Sequence, residues 1–115
     1  MAGVFPFDVE VCGSPQGHGY SELCVDKPNP FFPAGTLRGH EFHYSRILPC
    51  EETVSTACVV NRGAGCFDKR ELVTTRNVVA TYTHLHALAS PEWAPGIVNA
   101  ARCHGSSGRT AGTTK

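Results

Sequence analysis

The sequence predicts an α/β domain that is rich in strands and carries one helix near its carboxyl end. Three observations support this fold class: strand-like segments recur along the chain, one segment has the start signals of a helix, and 115 residues suffice for a single modest core. Ten Lys and Arg balance ten Asp and Glu. Net charge therefore indicates neither a nucleic-acid partner nor an anionic membrane.

Five segments have the alternation and the β-branched or aromatic content of strands. They are AGVFPFDVEV at 2–11, GHGYSELCV at 17–25, TLRGHEFHYSRIL at 36–48, TVSTACVV at 53–60 and NVVATYTHLHAL at 77–88. Between them, DKPNPFFPAG at 26–35 has three prolines and predicts a loop, and NRGAGCFDKRE at 61–71 predicts a hairpin or an exposed turn.

The single helix is predicted to follow residue 90. Ser90 fits an N-cap, Pro91 the first helical position and Glu92 the first turn. An apolar face follows, made of Trp93, Ile97, Ala100 and Ala101. We expect the helix to end near Arg102, so that residues 1–102 form the folded part and residues 103–115, rich in Gly, Ser and Thr, a disordered tail.

Targeting signals and cysteine usage suggest a cytoplasmic protein. No apolar run approaches the roughly 18–20 residues of a membrane span, and MAGVFPFDVEV lacks the features of a secretory signal. The six cysteines are widely spaced and form no CxxC pair, which favours free thiols over a disulfide framework or a zinc ribbon. They are Cys12, Cys24, Cys50, Cys58, Cys66 and Cys103.

The stretch GHEFHYS at 39–45 places two histidines and a glutamate in a predicted strand. Because side chains alternate along a strand, His40 points to one face while Glu41 and His43 point to the other. The two histidines can therefore share a metal only across a bulge, which the sequence does not indicate. Glu41 and His43 instead form a candidate site-shaping pair, either as a polar contact to a ligand or as a carboxylate that orients an imidazole.

The predicted strand at 77–88 places Tyr82, His84 and His86 on one face. Such an HxH pair can chelate zinc, although no third ligand nearby is compelling. The alternatives are proton transfer, with His84 as the general acid and base and His86 as the second candidate, or two purely structural histidines. No cysteine fits a nucleophile, since Cys66 lacks the strand, sharp turn and helix that expose one.

These segments resemble a known family. RGHEFHYS at 38–45 and NVVATYTHLHALASPEWA at 77–94 are similar to the end of the glutamine amidotransferase domain of cobyrinic acid a,c-diamide synthases. MAGVFPFDVEV and GHGY at 17–20 fit the stretch after that family's nucleophile region, so the resemblance covers residues 1 to about 102. TYTHLHALASPEWAP further resembles the variant found beside dissimilatory sulfite reductase genes, which amidates a siroheme-type precursor.

The resemblance implies part of a two-domain enzyme. An amino-terminal P-loop domain would use ATP and Mg²⁺ to activate a carboxylate of a corrin or sirohydrochlorin ring. A flavodoxin-like class I amidotransferase domain would hydrolyse glutamine at a cysteine and pass on ammonia. His84 matches the family's histidine that takes the proton from that cysteine, and Tyr82 precedes it in the same strand pattern.

The chain also departs from the family pattern. It has no Walker A loop and no nucleophile elbow, and His86 stands where broader class I amidotransferases have a glutamate, which leaves the third triad member unassigned. We therefore expect a strand-rich, carboxyl-terminal half of the amidotransferase domain that binds no cofactor or metal itself and is inactive without its missing amino-terminal half. The alternatives are a small metal-binding module using His84 and His86, or a non-catalytic interaction module.

Overall fold

The computed structural model describes residues 3–113, and the side chains of residues 3–105. Within this part of the chain there are eight strands and one helix. The strands are β1 (Val9–Val11), β2 (Gly17–Val25), β3 (Gly35–His43), β4 (Ser45–Ile47), β5 (Ser55–Arg62), β6 (Arg70–Thr75), β7 (Val78–Ala80) and β8 (His84–Leu85), and the helix is α1 (Trp93–Thr113). The predicted strand-rich architecture with one carboxyl-terminal helix is confirmed.

Six strands form one antiparallel sheet with the order β7-β6-β5-β2-β3-β8, and β1 pairs with β4 in a separate ribbon. The long strand β2 lies in the middle, so Leu23 faces Leu37 on β3 and Val60 on β5. β7 and β8 are close in sequence but lie at opposite edges of the sheet. The three residues between them can span at most about 14 Å, so the sheet must curl to bring these two edges close to each other.

One face of the sheet is buried and the other is open. Along β2, Leu23 and Val25 are buried, whereas Tyr20 on the alternate side is 74% exposed. This is the pattern of an antiparallel sheet that packs on one side. The core consists of Leu23, Val25, Phe32, Leu37, Ala57, Cys58, Val60 and Leu72.

An ion pair connects β6 to the end of β2. The guanidinium of Arg70 binds both carboxylate oxygens of Asp26, at 2.6 and 2.8 Å, and its Nε donates to the Thr56 hydroxyl at 2.8 Å. The hydrogen bonds from Arg70 hold the pKa of Asp26 below its usual value. The pair is partly exposed, so its contribution to stability is small.

Several strand predictions require correction. The predicted strand at 2–11 is a strand only at Val9–Val11, and the one at 36–48 divides at Tyr44 into β3 and β4. The predicted strand at 77–88 is interrupted after Ala80, and only His84–Leu85 pairs again, because the chain passes from one sheet edge to the other in between. The segment Arg70–Thr75 is a strand that the sequence analysis missed, since its first residues end a turn-like stretch. Leu72 there has φ of 63°, which is unusual for a bulky residue within a strand.

The helix differs from its prediction at both ends. It begins at Trp93. The Ser90 hydroxyl does not cap it and instead donates to the carbonyl of Arg38 at 3.1 Å and accepts from its N–H at 3.3 Å. Its backbone continues to Thr113, so the predicted end near Arg102 is wrong. Once a helix is nucleated, each further residue adds a hydrogen bond, which favours extension.

Of the predicted tail, residues 114–115 lie outside the described residues. Among residues 3–113, no helix has both the length and the apolar character needed to cross a membrane.

The buried position of Leu23 generates a stability prediction. Its side chain is fully buried at the centre of the sheet, so Leu23→Ala should lower the free energy of unfolding by about 2–5 kcal/mol through lost burial and a cavity. Val11, which is 80% exposed, is the matched control, and Val11→Ala should change that energy by less than about 0.5 kcal/mol. Urea unfolding measures both, and equal effects of the two substitutions would contradict this core.

A second prediction concerns the contact between β3 and β8. A Cβ at Gly39 would collide with the backbone carbonyl of His84 and with the Thr83 methyl. Gly39→Ala should therefore separate β8 from β3 and destabilise the chain by about 1–3 kcal/mol. Gly13, whose Cβ would meet nothing within 4 Å, provides the control. Faster amide exchange at Leu85 in Gly39→Ala alone is the expected result, and unchanged exchange would refute the close approach.

Candidate active site

His84 lies on the open face of the sheet, directly opposite a second histidine. In the β3–β8 ladder His40 pairs with His84, and Gly39 pairs with Leu85. The two imidazole rings have centroids 4.8 Å apart at an angle of 58°. Both residues are exposed. The missing side chain of Gly39 lets β8 come close enough for this pairing.

Aromatic side chains surround this histidine pair. Tyr20 precedes His40 in the row across the sheet, since Tyr20 pairs with His40. Phe42 is 48% exposed, and its ring meets that of His18 edge to face at 4.7 Å. We call this surface, formed by His18, Tyr20, His40, Phe42 and His84, the imidazole face. An exposed imidazole there can exchange a proton with a group that approaches from outside the sheet.

Glu41, His43 and Tyr82 meet on the opposite side of β3. The Glu41 side chain is 2% exposed, and its Oε2 lies 2.9 Å from Nε2 of His43. The other ring nitrogen, Nδ1, lies 2.9 Å from the carbonyl oxygen of Ser45. Both ring nitrogens therefore lie within hydrogen-bonding distance of an oxygen. The predicted pairing of Glu41 with His43 on one face is confirmed.

The Tyr82 ring covers the Glu41–His43 pair. It stacks on the His43 ring with centroids 3.7 Å apart and planes 9° from parallel. Its hydroxyl is 2.8 Å from that of Ser45. Burial raises the pKa of Tyr82 above its usual value, so the phenol stays neutral and acts through packing and this hydrogen bond.

Glu41 also holds the turn after β5. Its Oε1 accepts a short hydrogen bond of 2.5 Å from the N–H of Ala64, and Oε2 accepts one of 3.3 Å from Gly65. Gly63 approaches the same carboxylate with φ of 119°, which favours glycine, and a Cβ there would lie 2.7 Å from Oε1. The buried charge is thus matched by donors on several sides, as a buried carboxylate requires.

Glu71, which the sequence analysis did not single out, is a second buried carboxylate. It has no exposed surface. Its Oε1 accepts from the Cys66 thiol at 2.7 Å and from the Leu72 N–H at 2.9 Å, and its Oε2 accepts from the Thr83 hydroxyl at 3.3 Å. The sequence feature that could have identified Glu71 is its position directly before the apolar pair Leu72 and Val73.

The thiols of Cys66 and Cys58 are poorly suited to nucleophilic attack. Burial, followed by the charge of Glu71 and the hydrogen bond to it, raises the pKa of Cys66 far above its usual value. Burial raises the pKa of Cys58 to about 12. Because the thiolate is the reactive form, both remain protonated at neutral pH. Cys24 lies on the open side of β2, but four residues from Tyr20, which is about 13 Å along a strand.

The structure separates residues that the sequence analysis had placed together. Tyr82 packs against His43, while His84 opposes His40 on the other face of β3. The prediction that Tyr82, His84 and His86 share one strand face is therefore wrong, because residues 81–83 do not continue the strand.

His86 lies beyond the end of β8, and its Nδ1 accepts from the N–H of Leu88 at 3.1 Å. Among residues 3–113, no three His, Cys, Asp or Glu side chains are grouped as metal ligands would be.

Two sequence relatives are named as enzymes. The chain is 34% identical to the cobyrinate a,c-diamide synthase of Magnetococcus marinus over 92% of its own length and 23% of the relative's. It is 40% identical to the enzyme of the same name from Methanothermobacter thermautotrophicus, over 82% of the chain and 21% of that relative. The chain thus spans less than a quarter of the length of these curated relatives. No solved structure gives a significant match.

A protein-family comparison covers most of the chain. Residues 1–92 match the family described as the CobB/CobQ-like glutamine amidotransferase domain. The matched range includes both faces of β3, the turn at 63–65 and His84. The chain belongs to the CobB/CobQ-like glutamine amidotransferase domain family.

Proposed function

We propose that this chain supplies the histidine of the glutaminase centre in an ATP-dependent ligase that amidates side-chain carboxylates of a tetrapyrrole. Membership of the amidotransferase family supports the glutamine-hydrolysing half of this proposal. The name of these relatives, cobyrinate a,c-diamide synthase, supports a corrin or a related ring as the acceptor. A sirohydrochlorin-type ring is the narrower substrate suggested by the segment at 81–95.

The observation that carries the proposal is the exposed ring of His84 beside His40. Glutamine hydrolysis at a cysteine requires a base that takes the thiol proton and returns a proton to the departing ammonia. A histidine on an open face can reach a thiol brought to it, whereas His43 is enclosed by Glu41 and Tyr82. In this proposal Glu41, His43 and Tyr82 shape the site without touching the reacting atoms.

The nucleophilic cysteine is proposed to come from another part of the enzyme. Cys66 and Cys58 have raised pKa values and hold their protons. In the assembled enzyme, the nucleophilic cysteine would lie against the imidazole face. It would come from a part that corresponds to the region of the relatives outside their match to this chain. The proposed setting of the assembled enzyme is the cytoplasm.

ATP and Mg²⁺ belong to the proposed activity but do not fit the residues of this chain. The sequence contains no Walker A pattern to cradle phosphates. Residues 3–113 also bring no three metal-ligating side chains together. We therefore assign carboxylate activation to a P-loop domain elsewhere in the enzyme and derive no step through it.

The direct test replaces His84 in an assembled glutaminase. The chain is produced in place of the matching segment of the Methanothermobacter thermautotrophicus relative, and ammonia release from glutamine is measured. His84→Gln should lower kcat by about 10²–10⁴-fold, because a general acid and base is lost. His86→Gln is the matched control and should change kcat by less than about threefold if His84 alone transfers the proton.

Two results of this test would contradict the proposal. One is undiminished glutamine hydrolysis in an active His84→Gln chimera. The other is ammonia release by the isolated chain above that of its own His84→Ala variant, which would mean that the chain already contains a nucleophile.

The proposed origin of the nucleophile predicts the order of thiol labelling. Cys50 is exposed, whereas Cys66 is partly buried and bonded to Glu71. At pH 8, iodoacetamide should label Cys50 at least about 100-fold faster than Cys66, since the thiolate is the reacting form. Peptide mass spectrometry measures both rates, and labelling in urea is the control that should equalise them. Equal labelling rates of Cys66 and Cys50 in the folded chain would contradict the prediction and make Cys66 a candidate nucleophile.

A further inference from the structure

The segment that leads into His84, residues 81–83, links the two edges of the curled sheet along its buried face, and we call it the crossing segment. β7 and β8 lie at opposite edges, and residues 81–83 connect them. Thr83, directly before His84, is 3% exposed. Its hydroxyl accepts from the Ser21 hydroxyl on β2 at 3.4 Å and donates to Glu71 on β6 at 3.3 Å. Residues 81–83 make no strand pairing, and the side chains of Ser21 and Glu71 hold this connection against the sheet.

Glu71 contributes most of these contacts. Besides binding Thr83, it accepts from the N–H of Tyr82 at 3.4 Å, so two consecutive residues of the crossing segment bind one carboxylate. The other donors are the Cys66 thiol and the N–H of Leu72. A carboxylate with no exposed surface is costly unless its oxygens are satisfied. These four donors provide the hydrogen bonds that the buried oxygens of Glu71 require.

The backbone next to Glu71 is in an unfavourable conformation. Leu72 is fully buried and has φ of 63°, a region that bulky residues rarely occupy. This conformation accompanies a hydrogen bond from the Leu72 N–H to the carboxylate of Glu71 itself. Such outliers persist where surrounding interactions over-determine them, and they concentrate near functional sites.

We propose that Glu71 is a positioning residue for His84. Its carboxylate fixes Tyr82 and Thr83, and Thr83 is joined to His84 by one peptide bond, so the position of the imidazole against His40 depends on this buried charge. Tyr82 in turn stacks on His43, so the same carboxylate aligns the residues on both faces of β3. Glu71 does not touch the reacting groups and acts through the crossing segment.

The consequence for catalysis rests on the proposed function. Displacing a catalytic group by about 1 Å can cost about 10²-fold in rate, even when substrate binding is intact. Loss of the Glu71 contacts should therefore lower kcat for glutamine hydrolysis and leave KM unchanged. A residue that only stabilises the fold would show no such selective effect in a chain that remains folded.

The first test uses the chain by itself and does not depend on glutaminase activity. Thr83→Val keeps the shape of the side chain and removes its hydroxyl, Thr83→Ser restores the hydroxyl, and Glu71→Gln removes the charge. The readout is the nuclear Overhauser signal between the His40 and His84 rings, whose centroids are 4.8 Å apart. Amide exchange at the buried core residue Cys58 reports whether the fold is intact.

The expected result is loss of at least half of the ring-to-ring signal in Thr83→Val and Glu71→Gln, full signal in Thr83→Ser, and unchanged exchange at Cys58. Full signal in the folded Thr83→Val and Glu71→Gln chains would overturn the proposal. A loss of exchange protection throughout the chain in Glu71→Gln would also overturn it, because Glu71 would then support the whole core. If Thr83→Val does not fold, Thr83→Ala takes its place in the comparison with Thr83→Ser.

The second test uses the chimeric glutaminase. Thr83→Val should lower kcat by about tenfold or more at unchanged KM, and Thr83→Ser should retain activity. If His84→Gln abolishes activity while Thr83→Val matches wild type, the positioning role is wrong and the proposed function stands. If His84→Gln has no effect, the proposed function fails, and the ring-to-ring signal alone decides whether Glu71 positions His84.

Discussion

The structure depends on satisfying two carboxylates that have almost no access to water. Glu41 and Glu71 are 2% and 0% exposed, and a buried charge is tolerated only with donors around it. Each carboxylate finds donors outside the ladder of its own strand. Glu41 accepts hydrogen bonds from the N–H groups of Ala64 and Gly65. Glu71 accepts them from Tyr82 and Thr83, the two residues before His84. Irregular parts of the chain are thereby fixed to the sheet by charge-assisted hydrogen bonds, which are stronger than neutral ones.

This constraint explains the stretch GHEFHYS. Gly39 removes the side chain that would keep β8 away, and His40 then opposes His84 on the open face. Glu41 and His43 point inward, where the Glu41 carboxylate contacts the His43 ring. Glu41 also binds the turn after β5, and the His43 ring stacks on Tyr82. The polar residues of this strand thus lie on two different faces. Glu41 and His43 are enclosed on the buried face, and His40 is exposed on the open face.

Local patterns predicted local structure well and long-range structure poorly. Period-two alternation correctly separated His40 from the Glu41–His43 pair, because β3 is continuous through these residues. The same rule failed at Tyr82 and His84, since no local signal shows that the chain leaves one sheet edge and crosses to the other. Glu71 was missed for a related reason: its partner Thr83 is 12 residues away, so the need for a buried carboxylate becomes visible only in the folded chain.

The most direct test of this account is amide hydrogen exchange in the unaltered chain. Ala64 and Tyr82 lie outside the strands, and their N–H groups bind the two buried carboxylates. The account predicts that both amides exchange as slowly as those in the β5 ladder, because exchange requires opening of a buried charge. Exchange as fast as at Glu51 and Glu52 in the exposed loop would contradict the account, since the carboxylates would then not hold these segments.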